Sequence, residues 1–307
     1  MKRIVLLLGG NGFLGSKIKF YLKKKNIKVI APKKKDLNLL SKNSIKNYIT
    51  LNKKKKINYI INCAAFIGGQ GLIEKDSLKL MRINCQISIN LFEIIKKFKI
   101  KKLIFIGSAC AYPDSKKLLE EKNYWQGEMF DGVSAYGIVK KFDLIYQQQI
   151  KKNLNIDYVH YNLANLYGPK DKFDLLNSHV LGALIYKFTK AKIEGRKFVE
   201  VWGSGKPIRD FIFVDDAAKI IVKTFDKISG LINVGSGNGI SVKDLANLIK
   251  FYANYQGRII FNKNKKDGVS YKVLSVKKLS KYYNLKKLEK LNNGINKTLK
   301  WYVNKKL

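Results

Sequence analysis

The chain has few cysteines, few histidines and few arginines, and each shortage removes a class of function. Cys63, Cys85 and Cys110 make an odd set without CxxC spacing, so neither a disulfide framework nor a zinc site is expected; no metal is expected at all, and a reducing, cytoplasmic setting fits. Only five of the 61 basic residues are arginine (Arg3, Arg82, Arg196, Arg209 and Arg258), whereas base-edge and bidentate phosphate recognition favours that side chain. The formal charge of +39 would otherwise point to a polyanion. The lysines, however, lie in short runs along the whole chain, such as Lys23 to Lys25 and Lys53 to Lys56, where solvated faces are expected, and no nucleic-acid module is recognisable. No nucleic-acid partner is therefore expected. Long apolar runs are also missing: the opening apolar stretch covers only Ile4 to Leu8 before it meets glycines, so neither a secretory signal nor a membrane span is expected.

What the chain does have is 46% apolar residues over 307 positions, enough to bury a large core. Strand-like runs at Arg3 to Leu8, Lys28 to Ala31, Tyr59 to Ala64, Lys102 to Gly107 and Tyr158 to Asn162 are spaced by helix-period segments at Ser16 to Lys25, Lys79 to Phe98 and Ser134 to Lys152. Continuous apolar strands separated by helices predict a parallel sheet covered on both faces. The expected fold is α/β, a Rossmann-type doubly wound sheet with a smaller interleaved C-terminal lobe. Residues 1–167 would form the dinucleotide-binding domain, with 207–230 returning to it, and residues 168–206 and 231–307 the substrate lobe.

"LLGGNGFLG" follows the first strand and opens the first helix, spacing Gly9, Gly12 and Gly15 as GxxGxxG. Glycine permits the tight turn and close backbone approach that let a pyrophosphate sit on a helix N-terminus, so Gly9, Gly12, Phe13, Leu14 and Gly15 are cofactor-binding candidates. After the second strand, "IAPKKKD" has no acid at Ala31 or Pro32 to bind both ribose hydroxyls, whereas Lys33 to Lys35, with Lys34 at the centre, can neutralise a 2'-phosphate. This favours NADPH; a plain solvated lysine loop is the competing reading, and Asp36 leaves NADH open.

"YGIVK" puts Tyr136 and Lys140 on one helix face, where an ammonium beside a phenol favours the phenolate and tunes a proton donor. Ser108, in "GSACAYP" at the end of the fourth strand, stands at the sheet edge where such folds bind ligands. Strand alternation would place Ser108 and Cys110 on one side; a packed core cysteine is the alternative.

With GxxGxxG, Ser108 and YxxxK together, the chain resembles the extended short-chain dehydrogenase/reductase superfamily. "GSACAYP", "NLYGPKDKF", "NSHV", "VWGSGKPIRDFIFVDD", "NVGSG" and "KDGVSYKVL" extend the resemblance, over nearly the whole length, to the GDP-L-fucose synthase family. The resemblance implies a cytoplasmic, NADPH-dependent homodimer that epimerises GDP-4-keto-6-deoxy-D-mannose at C3 and C5 and then reduces C4. It implies Ser108, Tyr136 and Lys140 as the reductase triad and Cys110 with His179 as the epimerisation pair. Ala64, Ala65, Asn165 and His179, with Tyr136 and Lys140, fall where the family meets the cofactor, and Lys187, Trp202, Arg209 and Lys272 where it meets the GDP-sugar. Arg209 suits a diphosphate clamp, against a salt bridge to Asp210 or Asp215. His160, in a predicted buried strand, reads as structural, and Asp215 and Asp216 read as helix caps.

The chain departs from the family at Phe66 (usually lysine), at Val133 to Ala135 (usually Asn-Glu-Pro), at Gly182 (proline) and at Lys187 (arginine), all toward the sugar. These leave open a C4 reductase, with or without epimerisation, of another GDP-4-keto-6-deoxy sugar such as a heptose. A UDP-sugar 4-epimerase or 4,6-dehydratase shares the fold, but "SACAYP" lacks the acidic pair of a dehydratase. A non-catalytic dinucleotide-sensing or RNA-binding Rossmann protein would not need an intact triad.

Overall fold

A computed structural model of the chain describes residues 3–68, 73, 75–175 and 177–306. Strands β1 (Ile4–Leu8), β2 (Lys28–Ile30), β3 (Tyr59–Asn62), β4 (Lys102–Ser108), β5 (Asp157–Leu163) and β9 (Gly230–Val234) form one parallel sheet in the order β2-β1-β3-β4-β5-β9. Both faces are covered, which is why the strands read as unbroken apolar runs: Val5, Leu6, Leu7, Ile60, Ile61, Leu103 and Ile104 are all inaccessible to solvent. The helices α1 (Phe13–Lys24) and α6 (Val214–Thr224) pack together on one side, and α3 (Ser77–Lys97) and α4 (Asp131–Leu154) on the other. Helix α4 ends where Asn155 turns left-handed (φ 53°), its N–H returned to the Lys151 carbonyl.

The chain leaves β1 for β2 on one side and then crosses back to β3 on the other. The turns after β1, β3 and β4 therefore open onto one sheet edge, around the crevice where the order reverses.

A second core lies between α5 (Val180–Ile193), α7 (Val242–Tyr252) and the last helix, α8 (Leu291–Lys306). Its strands are β6 (Asn165–Tyr167), β8 (Ile208–Phe213), β10 (Gly239–Ser241) and β12 (Tyr271–Lys272), all paired on β8, and a separate parallel pair, β7 (Phe198–Trp202) with β11 (Arg258–Asn262).

The segment expected to return whole to the large sheet is divided. Strand β8 belongs to the smaller sheet, α6 returns to pack on α1, and β9, almost all beyond the expected limit at 230, is the sixth strand of the large sheet. Apolar runs such as "FIF" and "LINV" announce buried strands without saying which sheet they join. Helix α2 (Lys42–Asn52) has no counterpart in the sequence reading. Lysine and asparagine dilute its amphipathic pattern, and its clearest sign is Ser41, whose hydroxyl caps it by accepting from the Ser44 N–H.

Candidate active site

The glycine loop is shaped by contacts that exclude side chains. Gly9 has φ +71°, and a Cβ there would lie 2.7 Å from the Ala64 nitrogen; at Gly15 it would lie 2.1 Å from the Gly9 carbonyl oxygen. Gly12 is the N-cap of α1, no side chain caps that helix, and its first turn holds no acid. Leu14 is buried, so only its backbone is available to a ligand, and Phe13 opens the helix beside it. This cradle fits a pyrophosphate. Lys34 is exposed after β2, and the carboxylate of Asp36 is engaged by the Lys33 N–H (3.0 Å).

Ala64 and Ala65 follow β3, and the Ala64 backbone lies directly beside Gly9. The loop they begin is pinned from α3: Asn84 accepts from the Phe66 N–H (2.8 Å) and donates to the Phe66 carbonyl (2.9 Å). Lys172 donates to the Ile67 carbonyl (3.0 Å). Gly69, the end of the "AAFIGG" stretch, lies outside the described residues.

Tyr136 and Lys140 lie on the inner face of α4, each 5% exposed, with the ammonium 5.3 Å from the phenol ring centre. Burial raises the Tyr136 pKa, and Lys140 opposes it while Cys110 and Asp143 add to it. Burial also works against the Lys140 ammonium, but Tyr136 and Asp143 overcome that penalty and hold its pKa above the usual lysine value. Gly137 explains how α4 comes so close to the β4 turn, because a Cβ there would lie 2.5 Å from the Cys110 carbonyl oxygen.

Ser108 ends β4, and its hydroxyl accepts from the Cys110 N–H (3.2 Å). Residues 109–111 form a 3-10 turn rather than extended strand, so the alternation argument for Ser108 and Cys110 fails. The turn delivers Cys110 differently: its Sγ accepts from Lys272 Nζ at 3.4 Å, in a small cavity also lined by Phe130, Val133, Val269 and Tyr271. His179, half-buried at the N-cap of α5, feels the same Lys272. Burial first, then Lys272 and Lys172, push its imidazole down to about 4, so it is neutral near pH 7 instead of poised there. Gly182 allows the loop beneath it, since a Cβ would lie 2.5 Å from the Lys172 carbonyl oxygen.

His160 is fully buried on β5, with Nδ1 2.8 Å from Gln147 Oε1, and burial pushes its pKa down to about 3; its place is in the core. Arg209 makes neither expected salt bridge. Asp210 is taken by Ser236, Gly237 and Leu274, and Asp215 by Lys17 and Tyr21. The guanidinium is anchored through one nitrogen, Nη1, to the carbonyls of Ile208 (2.9 Å) and Val269 (2.5 Å), and it interacts electrostatically with Cys110. Asp215 and Asp216 sit inside the first turn of α6, one residue or more past its N-cap Phe213, and Asp216 accepts from the Glu289 N–H (2.6 Å).

Lys187 Nζ stands 4.7 Å over the half-exposed Trp202 ring and donates to the Glu200 carbonyl (2.8 Å); Lys265 approaches the same ring at 5.5 Å. Asp267 joins this outer group to the inner one, bonding the Ser204 N–H and hydroxyl while acting on Arg209. Arg209 and Lys272 both act on Cys110, and Lys187 stands at Trp202; these are the cations available to a diphosphate. Asn165, a cofactor-side candidate, donates its side-chain amide to the Asp210 carbonyl (2.8 Å), tying β6 to β8. Asn84 was placed near the cofactor and sugar by resemblance alone, and Asp143 and Asp267 escaped the sequence reading. Only Asp143 left a signal there, three residues after Lys140 and therefore on its helix face.

No group of three or more metal-ligating side chains occurs among the described residues, and no helix there is long and apolar enough to cross a membrane. The chain is 32% identical over 307 residues to a GDP-L-colitose synthase of Yersinia pseudotuberculosis, covering 98% of each chain. It is 30% identical over 303 residues to GDP-L-fucose synthase 1 of Arabidopsis thaliana, covering 97% of this chain and 93% of the relative. A GDP-L-fucose synthetase structure from Naegleria fowleri bound to NADP superposes with a TM-score of 0.86 at 25% identity, over 99% of this chain and 95% of that one. Residues 5–235 match the NAD dependent epimerase/dehydratase family, to which the chain therefore belongs.

Proposed function

We propose that the protein is an NADPH-dependent epimerase/reductase that converts GDP-4-keto-6-deoxy-D-mannose to GDP-L-fucose. The observation that carries this reading is the juxtaposition at the β4 turn. One short segment ends the strand at Ser108 and then turns Cys110 toward Lys272 on one side and toward the helix that carries Tyr136 and Lys140 on the other. The C4 ketone acidifies the hydrogens on C3 and C5, so the Cys110 sulfur takes a proton from one face, and a solvent proton relayed through the neutral His179 imidazole returns to the other. Lys272 faces the sulfur at 3.4 Å, and Arg209 and Lys187 hold the diphosphate. Reduction ends the sequence. NADPH, when bound, supplies the hydride to C4; Ser108 holds the ketone oxygen, Tyr136 gives it the proton, and Lys140 stabilises the phenolate left behind.

A second reading keeps the chemistry and changes the sugar. It is favoured by the likeness to a GDP-L-colitose synthase and by Phe66, Val133 and Lys187 on the substrate side. Incubation with GDP-4-keto-6-deoxy-D-mannose and NADPH in deuterated water, followed by NMR, decides between them. Deuterium at C3 and C5 of GDP-L-fucose is expected; NADPH consumption without it would remove the epimerase half. No consumption with any GDP-4-keto sugar would point to a non-catalytic protein.

A homodimer in the cytoplasm completes the proposal. Ile89 on α3 and Ile138 and Ile145 on α4 are exposed beside the stacked Phe142 and Tyr146 rings, an apolar face that a second copy would cover. The three free thiols suit a reducing compartment. Light scattering that returns a monomer mass would remove the dimer.

A further inference from the structure

Helix α4 carries more of the reductase than Tyr136 and Lys140. One turn further along the same face, Asp143 is 2% exposed, and its two carboxylate oxygens have different partners: Oδ2 accepts from Lys140 Nζ at 3.1 Å, and Oδ1 accepts from the hydroxyl of Ser88, itself buried on α3, at 2.5 Å. A buried carboxylate costs several kcal/mol in desolvation unless its partners are well placed, so a pair of this kind needs a reason. We infer that Asp143, oriented by Ser88, is a positioning residue of the ketoreductase, sharing the Lys140 ammonium so that Tyr136 rests as the phenol and is ready to donate. The inference rests on the reading of Ser108, Tyr136 and Lys140 as a reductase triad.

The groups that face the pair leave Asp143 as the negative one. From β3, Cys63 reaches Lys140, but burial pushes its thiol up to about 12; from β5, His160 is pushed down to about 3 and stays neutral. On α3, burial raises the Cys85 thiol, and in the loop before α4 it holds the Tyr124 phenol well up. Cys110 faces Tyr136 from the β4 turn. An unshared ammonium would draw Tyr136 toward the phenolate and lower the upper pH limit at which it has a proton to give. With Asp143 present, the phenol O–H breaks only as the substrate oxygen takes the proton. The resulting phenolate pairs with Lys140 until water returns a proton.

The test is the titration of Tyr136, followed by NMR of protein labelled at tyrosine Cζ and assigned with Tyr136→Phe. Asp143→Asn keeps the shape and removes the charge, and it should lower the Tyr136 midpoint by about one pH unit. The high-pH limb of NADPH-dependent ketone reduction should move down with it. Ser88→Ala leaves the charge but frees the carboxylate to turn, and should move the midpoint the same way by less, so either variant suffices if the other fails to fold. An unmoved midpoint in a folded variant, with only a lower melting temperature, would overturn the inference and leave Asp143 a structural ion pair. Absence of ketone reduction in the unsubstituted protein would instead overturn the triad reading, while the tyrosine titration would still report on Asp143.

Discussion

The two halves of the active site are built in opposite ways. The reductase half is a ladder on one helix: Tyr136, Lys140, Asp143 and Gln147 fall at helical spacing on the buried face of α4, against β4 and β5. The half proposed to hold the sugar is assembled from separate segments, with Cys110 after β4, His179 before α5, Trp202 at the end of β7, Arg209 in β8 and Lys272 in β12. A helix sets its spacing by its own hydrogen bonds, so Tyr136, Lys140 and Asp143 hold their relative places along α4, and of the triad only Ser108 waits for β4 to pack against it. The second half exists only once two cores have packed and a 3-10 turn has closed. Proton transfer to a fixed ketone is thus placed on the rigid element, and recognition of a variable sugar on the adaptable ones.

Substitutions that separate the halves give the sharpest check. Tyr136→Phe should cut ketone reduction by about 10³-fold while deuterium still washes into the keto sugar; loss of both would mean the halves are not separable. Cys110→Ser should do the reverse, slowing exchange at C3 and C5 by about 10²-fold and diverting reduction to a non-epimerised alcohol. If GDP-L-fucose still forms at the usual rate, the cysteine is packing alone. Arg209→Lys keeps the charge but loses the fork, and should raise KM for the GDP-sugar by about tenfold with kcat little changed. A fall in kcat with KM intact would move Arg209 from binding to chemistry.

Gly137→Ala attacks the junction, since the new methyl would press on the Cys110 carbonyl. It should cost about 1–3 kcal/mol of stability and slow both activities together, and calorimetry with the two assays would show an uneven effect if the junction does not couple them. The last prediction concerns His160, which is fully buried on β5. Its folded pKa, down to about 3, lies below the ordinary histidine value, so protonation favours the unfolded chain and stability is lost as pH falls from about 6.5 toward 3. His160→Gln should be less stable at pH 7, with the deficit narrowing as pH falls through that window; parallel stability curves in urea would show that His160 does not contribute to acid sensitivity.

The legible parts of the site share one property. Gly9, Gly12 and Gly15 are contiguous with the strand and helix they join, and Tyr136 with Lys140 needs only helical periodicity. Asp143 was equally within reach, three residues on, but a lone acid among so many lysines looks like surface charge until its burial is known. Cys110 was singled out by resemblance, and the alternation argument that accompanied it does not hold. The alternation rule applies to extended chain, and Ser108 ends the strand by accepting from the Cys110 N–H, which turns the backbone. For Arg209, two neighbouring carboxylates made a salt bridge plausible, and both proved to be committed to other segments, Asp210 at 0% exposure and Asp215 to Lys17 at 2.7 Å.

By itself the sequence determined what short-range physics controls: the parallel α/β order, the phosphate-binding turn and the phenol–ammonium pair, because apolar periodicity and glycine geometry act within a few residues. Only the tertiary structure decided which sheet β8 and β9 join, which cation faces Cys110 and whether His179 is charged. Those depend on burial and on charges brought together from residues up to 162 positions apart, and a local pattern does not encode how a chain returns to meet itself.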